Sequence, residues 1–338
     1  MSAKEHPIVL YHYAYSPFAR RVVWYLALRG IPYSQCMQPP IMPRPDIAAL
    51  GINHRRIPIL SIGRDVYFDT RLIIQKLEQL DAPGPALGAR GGPESQAIER
   101  LLESFVIDGG VFSRAAQLIP PDLPLLRDPA FGKDRVQYNN GRRFSREEWA
   151  VIRPEALGEI RAAAELLEAT LLADGRDWIL KTEGPSLADI EAVWPLHWLA
   201  GLPGALPPDQ VSAEKFPKVF AWIDRFQQAV TAARKAQEKP ATLPGDKAKD
   251  SIAASEFWEA EEGVDENDPV AKAQGLKKGS LITVWPTDTG SSHRDTGVLV
   301  GLSSKQVVIE TKAGDSAIRV HAPRHGFRIC NAERASHL

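Results

Sequence analysis

A serine stands where an apolar run gives way to a helical pattern near the start of this chain. Ile8-Val9-Leu10-Tyr11 reads as a short buried strand, and Tyr15-Ser16-Pro17-Phe18-Ala19-Arg20-Arg21-Val22 follows it. Ser16 is the natural N-cap and Pro17 the first helical residue. Phe18, Val22, Val23, Leu26 and Ala27 then recur at helical spacing. A hydroxyl at that point meets the unpaired N–H groups and the positive end of the helix, and such a setting stabilises an anion. The plain alternative is a well-capped helix and nothing more, because Ser-Pro caps are common.

Stepping along the chain, Ile57-Pro58-Ile59-Leu60-Ser61-Ile62 reads as a buried strand entered through a proline. Asp65-Val66-Tyr67-Phe68-Asp69-Thr70 reads as a second strand ending on two acceptor-rich residues, and Leu72 to Leu77 opens a helix. With a strand near residues 33–38, the order is strand, helix, strand, loop, proline-led strand, strand, helix. This order and the motif from Ser16 to Val22 resemble the N-terminal thioredoxin-like domain of the cytosolic glutathione transferase superfamily, in its serine-type classes.

The resemblance implies roles residue by residue. Ser16 donates a hydrogen bond to the glutathione sulfur and holds it as thiolate. Ile57 precedes a cis proline, Pro58, and its backbone pairs with the cysteinyl part. Asp69 and Thr70 match the Glu-Ser pair that binds the γ-glutamyl end, and Arg56 matches the basic residue facing the glycyl carboxylate. The chemistry fits, since one ammonium, two carboxylates and a thiol meet an acid, a hydroxyl, a guanidinium and a helix start. Asn53-His54-Arg55-Arg56 replaces the usual Pro-x-Gly-Lys, so His54 and Arg55 stand beside Arg56 as alternatives. Asp69 is one methylene shorter than the family glutamate. Tyr11, Tyr13 and Tyr15 crowd the first turn, and other classes activate the thiol with a tyrosine.

Composition suits such a protein. A chain of 338 residues with 44% hydrophobic residues can bury two or three cores without disulfide staples. A net charge of −1 gives no basic footprint for nucleic acid and no polybasic membrane signal. No apolar run approaches membrane-spanning length and the first residues lack an apolar signal core, so a cytoplasmic protein is expected. Cys36 and Cys330 lie far apart with no Cys-x-x-Cys, which argues against dithiol redox chemistry. The histidines form no metal-ligand spacing, and no metal is expected.

Punctuation by Asp81-Ala82-Pro83-Gly84-Pro85 and Gly91-Gly92-Pro93 divides the chain. The expected organisation is a thioredoxin-like glutathione-binding domain (6–83), an all-helical substrate domain (93–236), a linker (237–275) and a small β-rich, SH3-like domain (276–332). The helical part begins with Ile98, Leu101, Leu102 and Phe105, and resumes over residues 153–172. Between them a charged, proline-containing insertion, 120–143, reads as a lid or a disordered surface segment. Ser186-Leu187-Ala188-Asp189 resembles the N-capping box of the family's buried helix, with Asp189 structural. Residues 216–226 resemble the family's last characteristic helix. Residues 235–268 are rich in Lys, Glu, Asp, Ala and Pro, with room for at most a short helix. The alternating segments 280–285, 296–302, 306–311 and 317–321 predict a small antiparallel barrel or sandwich that folds separately. Similar extensions are associated with a subset of fungal members of the superfamily. Arg319, His321, Arg324 and His325 read as a solvated basic edge.

The expected activity is that of a glutathione transferase, or of a relative that uses bound glutathione for isomerisation or lyase chemistry. Thiolate formed at Ser16 attacks a small hydrophobic electrophile held between the first two domains, with Phe18, Phe105, Phe112, Arg114, Trp194 and His197 as candidates for its walls. Each of these has a core-packing alternative. The resemblance also implies a homodimer. The rival is a non-catalytic binding protein that uses the β-rich extension to recruit a partner.

Overall fold

Two cores lie on opposite faces of one sheet, and the period-2 alternation of the first strand assigns residues to each. In the computed structural model, which describes residues 6–89, 91–335 and 337, Ile8 and Leu10 join one core while Val9 and Tyr11 join the other. The elements in chain order are β1 (Ile8–His12), α1 (Pro17–Arg29), β2 (Ser34–Met37), α2 (Pro45–Ala48), β3 (Ile59–Ile62), β4 (Asp65–Phe68) and α3 (Thr70–Gln79). The helical part holds α4 (Pro93–Ile107), α5 (Val111–Gln117), α6 (Pro124–Arg127), α7 (Pro129–Tyr138), α8 (Arg146–Leu166) with a π-helical turn to Leu171, α9 (Leu187–Ala200) and α10 (Pro217–Lys235). Then come β5 (Ala241–Thr242), α11 (Gly245–Ala253), β6 (Gly263–Val264), α12 (Pro269–Gln274), β7 (Leu281–Pro286), β8 (Asp295–Leu302), β9 (Gln306–Ala313), β10 (Ser316–Pro323), β11 (Phe327–Asn331) and α13 (Ala332–Ala335).

The first seven elements have the thioredoxin-like arrangement. β1 runs parallel to β2 and antiparallel to β3, and β3 pairs antiparallel with β4. One face of these strands packs on α1, α3 and the helical part, where Trp194, Trp222 and Phe226 are fully buried. The capping box at α9 is made: Asp189 accepts from the Ser186 N–H at 2.9 Å, and also from Ile179 N–H and Trp222 Nε1 at 2.9 Å each. A fully buried carboxylate with four donors is structural, as expected.

The last strands depart from the sequence expectation. Among the described residues, eleven strands form one sheet with the order β11-β7-β8-β9-β10-β4-β3-β1-β2-β5, β6 joining at β8. β7 to β11 make an antiparallel run, but β10 then pairs in parallel with β4, Arg319 opposite Asp65 and His321 opposite Tyr67. The extension therefore continues the first sheet. Barrel closure is not found among the described residues, and the extension is joined to the first domain by this pairing. The physical reason is that β4 would otherwise be a sheet edge with open N–H and C=O groups. Ile282, Leu299, Ile309, Ile318 and Val320 share a core with Val9, Tyr11, Ile59, Val66 and Phe68. At roughly 1.5–3 kcal/mol for each such buried side chain, that shared face outweighs any surface ion pair as the attachment.

The segment expected as a linker is built into the joint. β5 pairs with β2, α11 puts Ala248 and Ile252 into the shared core, and Phe257 bridges Gly63. Gly63 has φ +56° and an added Cβ would lie 2.3 Å from the Glu256 carbonyl, so only glycine fits that approach. Asp65, fully buried, accepts from the Trp258 and Glu259 N–H groups at 2.7 and 2.9 Å, and its other oxygen lies 2.8 Å from His321 Nε2. Glu259 in turn takes Lys76 Nζ and the Tyr67 hydroxyl at 2.7 Å each. Burial pushes the Glu259 carboxyl up, but His321, Lys76 and Tyr67 together hold it below the ordinary range. Most of the basic cluster is thus no solvated edge: His321 is buried, Arg324 pairs with Asp268 at 2.9 Å and Arg319 reaches the Glu259 carbonyl at 3.1 Å, while His325 stays exposed, 3.1 Å from Asp108.

A second joint lies at His54. Its ring stacks on Phe68 with centroids 4.1 Å apart, and Asp295 at the start of β8 accepts from Asn53 N–H at 2.6 Å. Burial pushes the Asp295 carboxyl up to about 7, against the Asn53 and His54 N–H groups, while burial and then the neighbouring cations keep His54 well below its usual value.

Two outcomes follow from these joints. Asp65→Ala leaves two N–H groups and His321 without their acceptor, and should cost about 3–5 kcal/mol in urea unfolding; an unchanged midpoint would show that the joint is not structural. Asp295 is raised in the fold, so the stability it adds is complete below about 3.9 and is lost as pH rises through about 7. Thermal melts of Asp295→Asn should accordingly fall less than wild type between about pH 4 and pH 8.

Candidate functional site

Two capped helix starts, those of α1 and α3, follow strands of the first sheet. Ser16 caps α1 from extended backbone (φ −67°, ψ 120°), with Pro17 at the first helical position and the Ser16 oxygen accepting from Ala19 N–H at 3.3 Å. Asp69 caps α3 with φ +66°, its oxygen accepting from Arg71 N–H at 2.9 Å. Arg21, one turn into α1, donates to the Thr70 hydroxyl and pairs with Glu191 of α9. Arg21 and Glu191 are both buried, so this link ties α1 and α9 to the first residue of α3. Each helix start presents free N–H groups and positive potential. The Ile57–Pro58 bond is cis.

The three tyrosines separate by position. Tyr11 lies in the other core with its hydroxyl unpartnered, and burial pushes its pKa above the usual value, with Cys36 and Asp46 adding to this. Tyr15 is 46% exposed. Tyr13 adjoins Ser16, its carbonyl accepting from Ser16 N–H at 3.1 Å, and burial holds its phenol above the usual value against the opposing pull of Arg135, Arg44 and the Ser16 hydroxyl. Ser16 and Tyr13 are the pair at the helix start.

The basic residues before Pro58 are each engaged. Arg55 pairs with Asp134 of α7 at 2.8 Å, and its carbonyl accepts from Arg44. Asp134 also accepts from Met42 N–H at 3.0 Å and Arg135 Nε at 3.1 Å; burial raises its carboxyl, but these donors hold it below the ordinary range. The insertion expected as a lid or disordered segment is therefore folded, as α6 and α7, and docked on the loop between β2 and α2. Arg56 reaches into the extension, Nε to the Thr289 carbonyl at 2.9 Å, with Asp288 as its ion-pair partner. On the α3 side, Arg71 pairs with Glu103 at 2.8 Å and Asp108 at 2.6 Å.

Of the apolar candidates, three converge. Phe18, two residues past Ser16, lies 4.6 Å from Phe112 and 4.9 Å from Trp194 between ring centroids, and Phe112 lies 4.7 Å from Trp194. Trp194 Nε1 is buried without a partner. Phe105 packs on the same core from α4. Arg114 instead turns to Gln117 at 3.3 Å and Glu155 at 4.0 Å, and His197 faces Trp24 and Gln227 of α10, 2.6 Å from the latter's oxygen. Neither joins the aromatic group. Asp134, Asp288, Thr289 and Glu191 were not legible as site neighbours, because nothing in their local sequence names a partner so distant. Among the described residues no group of three or more His, Cys, Asp or Glu could hold a metal ion, and no helix is long and apolar enough to cross a membrane.

Comparison with known proteins agrees with this geometry. Residues 10–86 match the family model described as the glutathione S-transferase N-terminal domain, and residues 114–235 match a domain of unknown function. Glutathione S-transferases U1 and U2 of Arabidopsis thaliana are each 28% identical over 108 residues, covering 32% and 31% of this chain and 47% and 46% of those proteins. The chain thus spans about half the length of these curated relatives. A GST-like protein from Pseudomonas syringae has the same fold almost end to end, with a TM-score of 0.67, 22% identity, and 96% and 99% of the two chains covered. The β-etherase LigF from Sphingobium matches at a TM-score of 0.52 and 18% identity, over 68% of this chain and 99% of that one. The matched region assigns residues 10–86 to the glutathione S-transferase N-terminal domain family, and the fold of the chain is that of GST-like proteins.

Proposed function

We propose that the chain is a glutathione-dependent transferase, or a relative using glutathione in isomerisation or lyase chemistry, with Ser16 as the thiol-activating group. The observation that carries this is the Ser16 hydroxyl, buried at the start of α1, the helix that Arg21 ties to the first residue of α3. Ala19 N–H already occupies one lone pair of the Ser16 oxygen, and the hydroxyl proton, which otherwise turns to the Tyr13 phenol, is the group that can be donated to a sulfur. A thiolate there is stabilised by that donor and by the α1 N-terminus, which favours loss of the thiol proton to solvent. The sulfur lone pair then forms the bond to the electrophilic carbon as the carbon's bond to its leaving group breaks, the leaving group departing to solvent with the bonding pair. Phe18, Phe112 and Trp194 offer an apolar wall next to that sulfur. Asp69 and Thr70 suit the γ-glutamyl ammonium and carboxylate, with the α3 N-terminus adding positive potential. Pairing of two copies, proposed on the resemblance, has to form without a free β4 edge, because β10 lies there.

Ser16→Ala should reduce turnover of an electrophile more than about tenfold, and raise the pKa of the bound thiol, with little change in glutathione affinity. Ultraviolet titration of the thiolate reads this directly. An unchanged titration would move the role to Tyr13, tested with Tyr13→Phe. Asp69→Ala should weaken glutathione at least about tenfold by calorimetry, since truncating one partner of a charged hydrogen-bonded pair costs roughly 2–5 kcal/mol. Equal affinity would count against the whole glutathione site. Tight binding with no turnover on any electrophile would favour the non-catalytic reading.

A further inference from the structure

Among the described residues, the arginines next to Pro58 are each paired within the protein. Arg55 is paired with Asp134, and Arg44 donates to the carbonyls of Pro39, Pro40 and Arg55. His54 is held uncharged by burial first and by the cations around it. Arg56 directs Nε and Nη2 at the Thr289 carbonyl, 2.9 and 2.6 Å away, and pairs with the Asp288 carboxylate.

The backbone that carries that carboxylate is held as well. The loop between β7 and β8 is fixed by three further bonds: Gly290 N–H to the Tyr138 carbonyl at 2.8 Å, the Asn140 side chain to the Asp288 carbonyl at 2.6 Å, and Ser291 to Asn140 at 2.9 Å. Gly290 has φ +75°, and a Cβ there would lie 3.1 Å from the Arg55 side chain, so the loop sits close on the segment that precedes Pro58.

We propose that Asp288 is a specificity-determining residue for the C-terminal end of the thiol ligand. It sets the site against a free glycyl carboxylate and towards a γ-glutamyl thiol whose C-terminal end carries no negative charge. This rests on the glutathione reading above, with Arg56 at the glycyl end. An incoming carboxylate must displace or face Asp288 to reach Arg56, whereas an uncharged end meets an ion pair already neutral. Because the Asp288 side chain is 66% exposed, its effect is that of a surface pair and is modest.

Calorimetry with glutathione and with its glycyl ethyl ester, on wild type and Asp288→Asn, tests the assignment. Wild type should bind the ester at least as tightly as glutathione. Asp288→Asn should bind glutathione about threefold to fivefold more tightly than wild type and leave the ester within about twofold. Unchanged glutathione affinity in the variant, or an equal gain for both ligands, overturns the assignment of Asp288 and leaves the thiol-site reading in place. If neither ligand binds either protein, both readings fall.

Discussion

One buried carboxylate organises the polar side of the joint between the two ends of the chain. Asp65 is fully buried at the head of β4, and it accepts from the backbone of Trp258 and Glu259 while facing His321 on β10. A charge so placed is tolerable only when its lone pairs are filled, and the residues that fill them come from the joint segment and the extension. The requirement therefore fixes where the 256–259 stretch lies and which strand is laid against β4. Glu259 then takes Lys76, Tyr67 and His321, so the order of the joint follows from satisfying one buried group after another.

The same attachment brings the extension to both sides of the candidate site. The β7–β8 loop meets Arg56, and the turn after β10 sends His325 to Asp108, which also pairs with Arg71 beside the α3 cap. Arg71 and His325 hold the Asp108 carboxyl below its ordinary range although burial works the other way. Ser16, by contrast, depends on neither contact: its position follows from its own helix cap. The thiol chemistry is thus local to the first sheet, while the surroundings of the ligand's ends are shared with residues at the other end of the chain.

What the sequence made legible follows that division. Ser16-Pro17 signals a helix start through types that act within three residues, and Ser186 with Asp189 does the same for α9. The apolar run from Ile8 to Tyr11 was legible as a buried strand, though only the fold shows Val9 and Leu10 on opposite faces, and thioredoxin-like order could be read from elements of ordinary length. The charged stretch 235–268 looked like a linker because its partners lie elsewhere: Glu259 is matched by Lys76, Glu261 by Lys278 and Arg319, Asp268 by Arg324. Composition alone reports charges as solvated, and only the fold shows that they are paired. For the same reason Arg319 and His321 looked like an exposed edge. Period-2 segments identify strands but not their neighbours, so a parallel partner in β4 was outside what alternation can encode.

Pairing β10 with β4 also orders events during synthesis. Asp65 and His321 are 256 residues apart, so the first sheet leaves the ribosome with an open edge and with Val9, Ile59, Val66 and Phe68 lacking most of their cover. At about 5–20 residues per second, the interval before β10 emerges is on the order of 13–50 seconds. During that interval the nascent chain displays an unpaired strand above an apolar face, the combination that chaperones hold and that neighbouring nascent chains can join. Late completion of this sheet makes the yield of folded protein sensitive to the pace of translation and to crowding on a polysome.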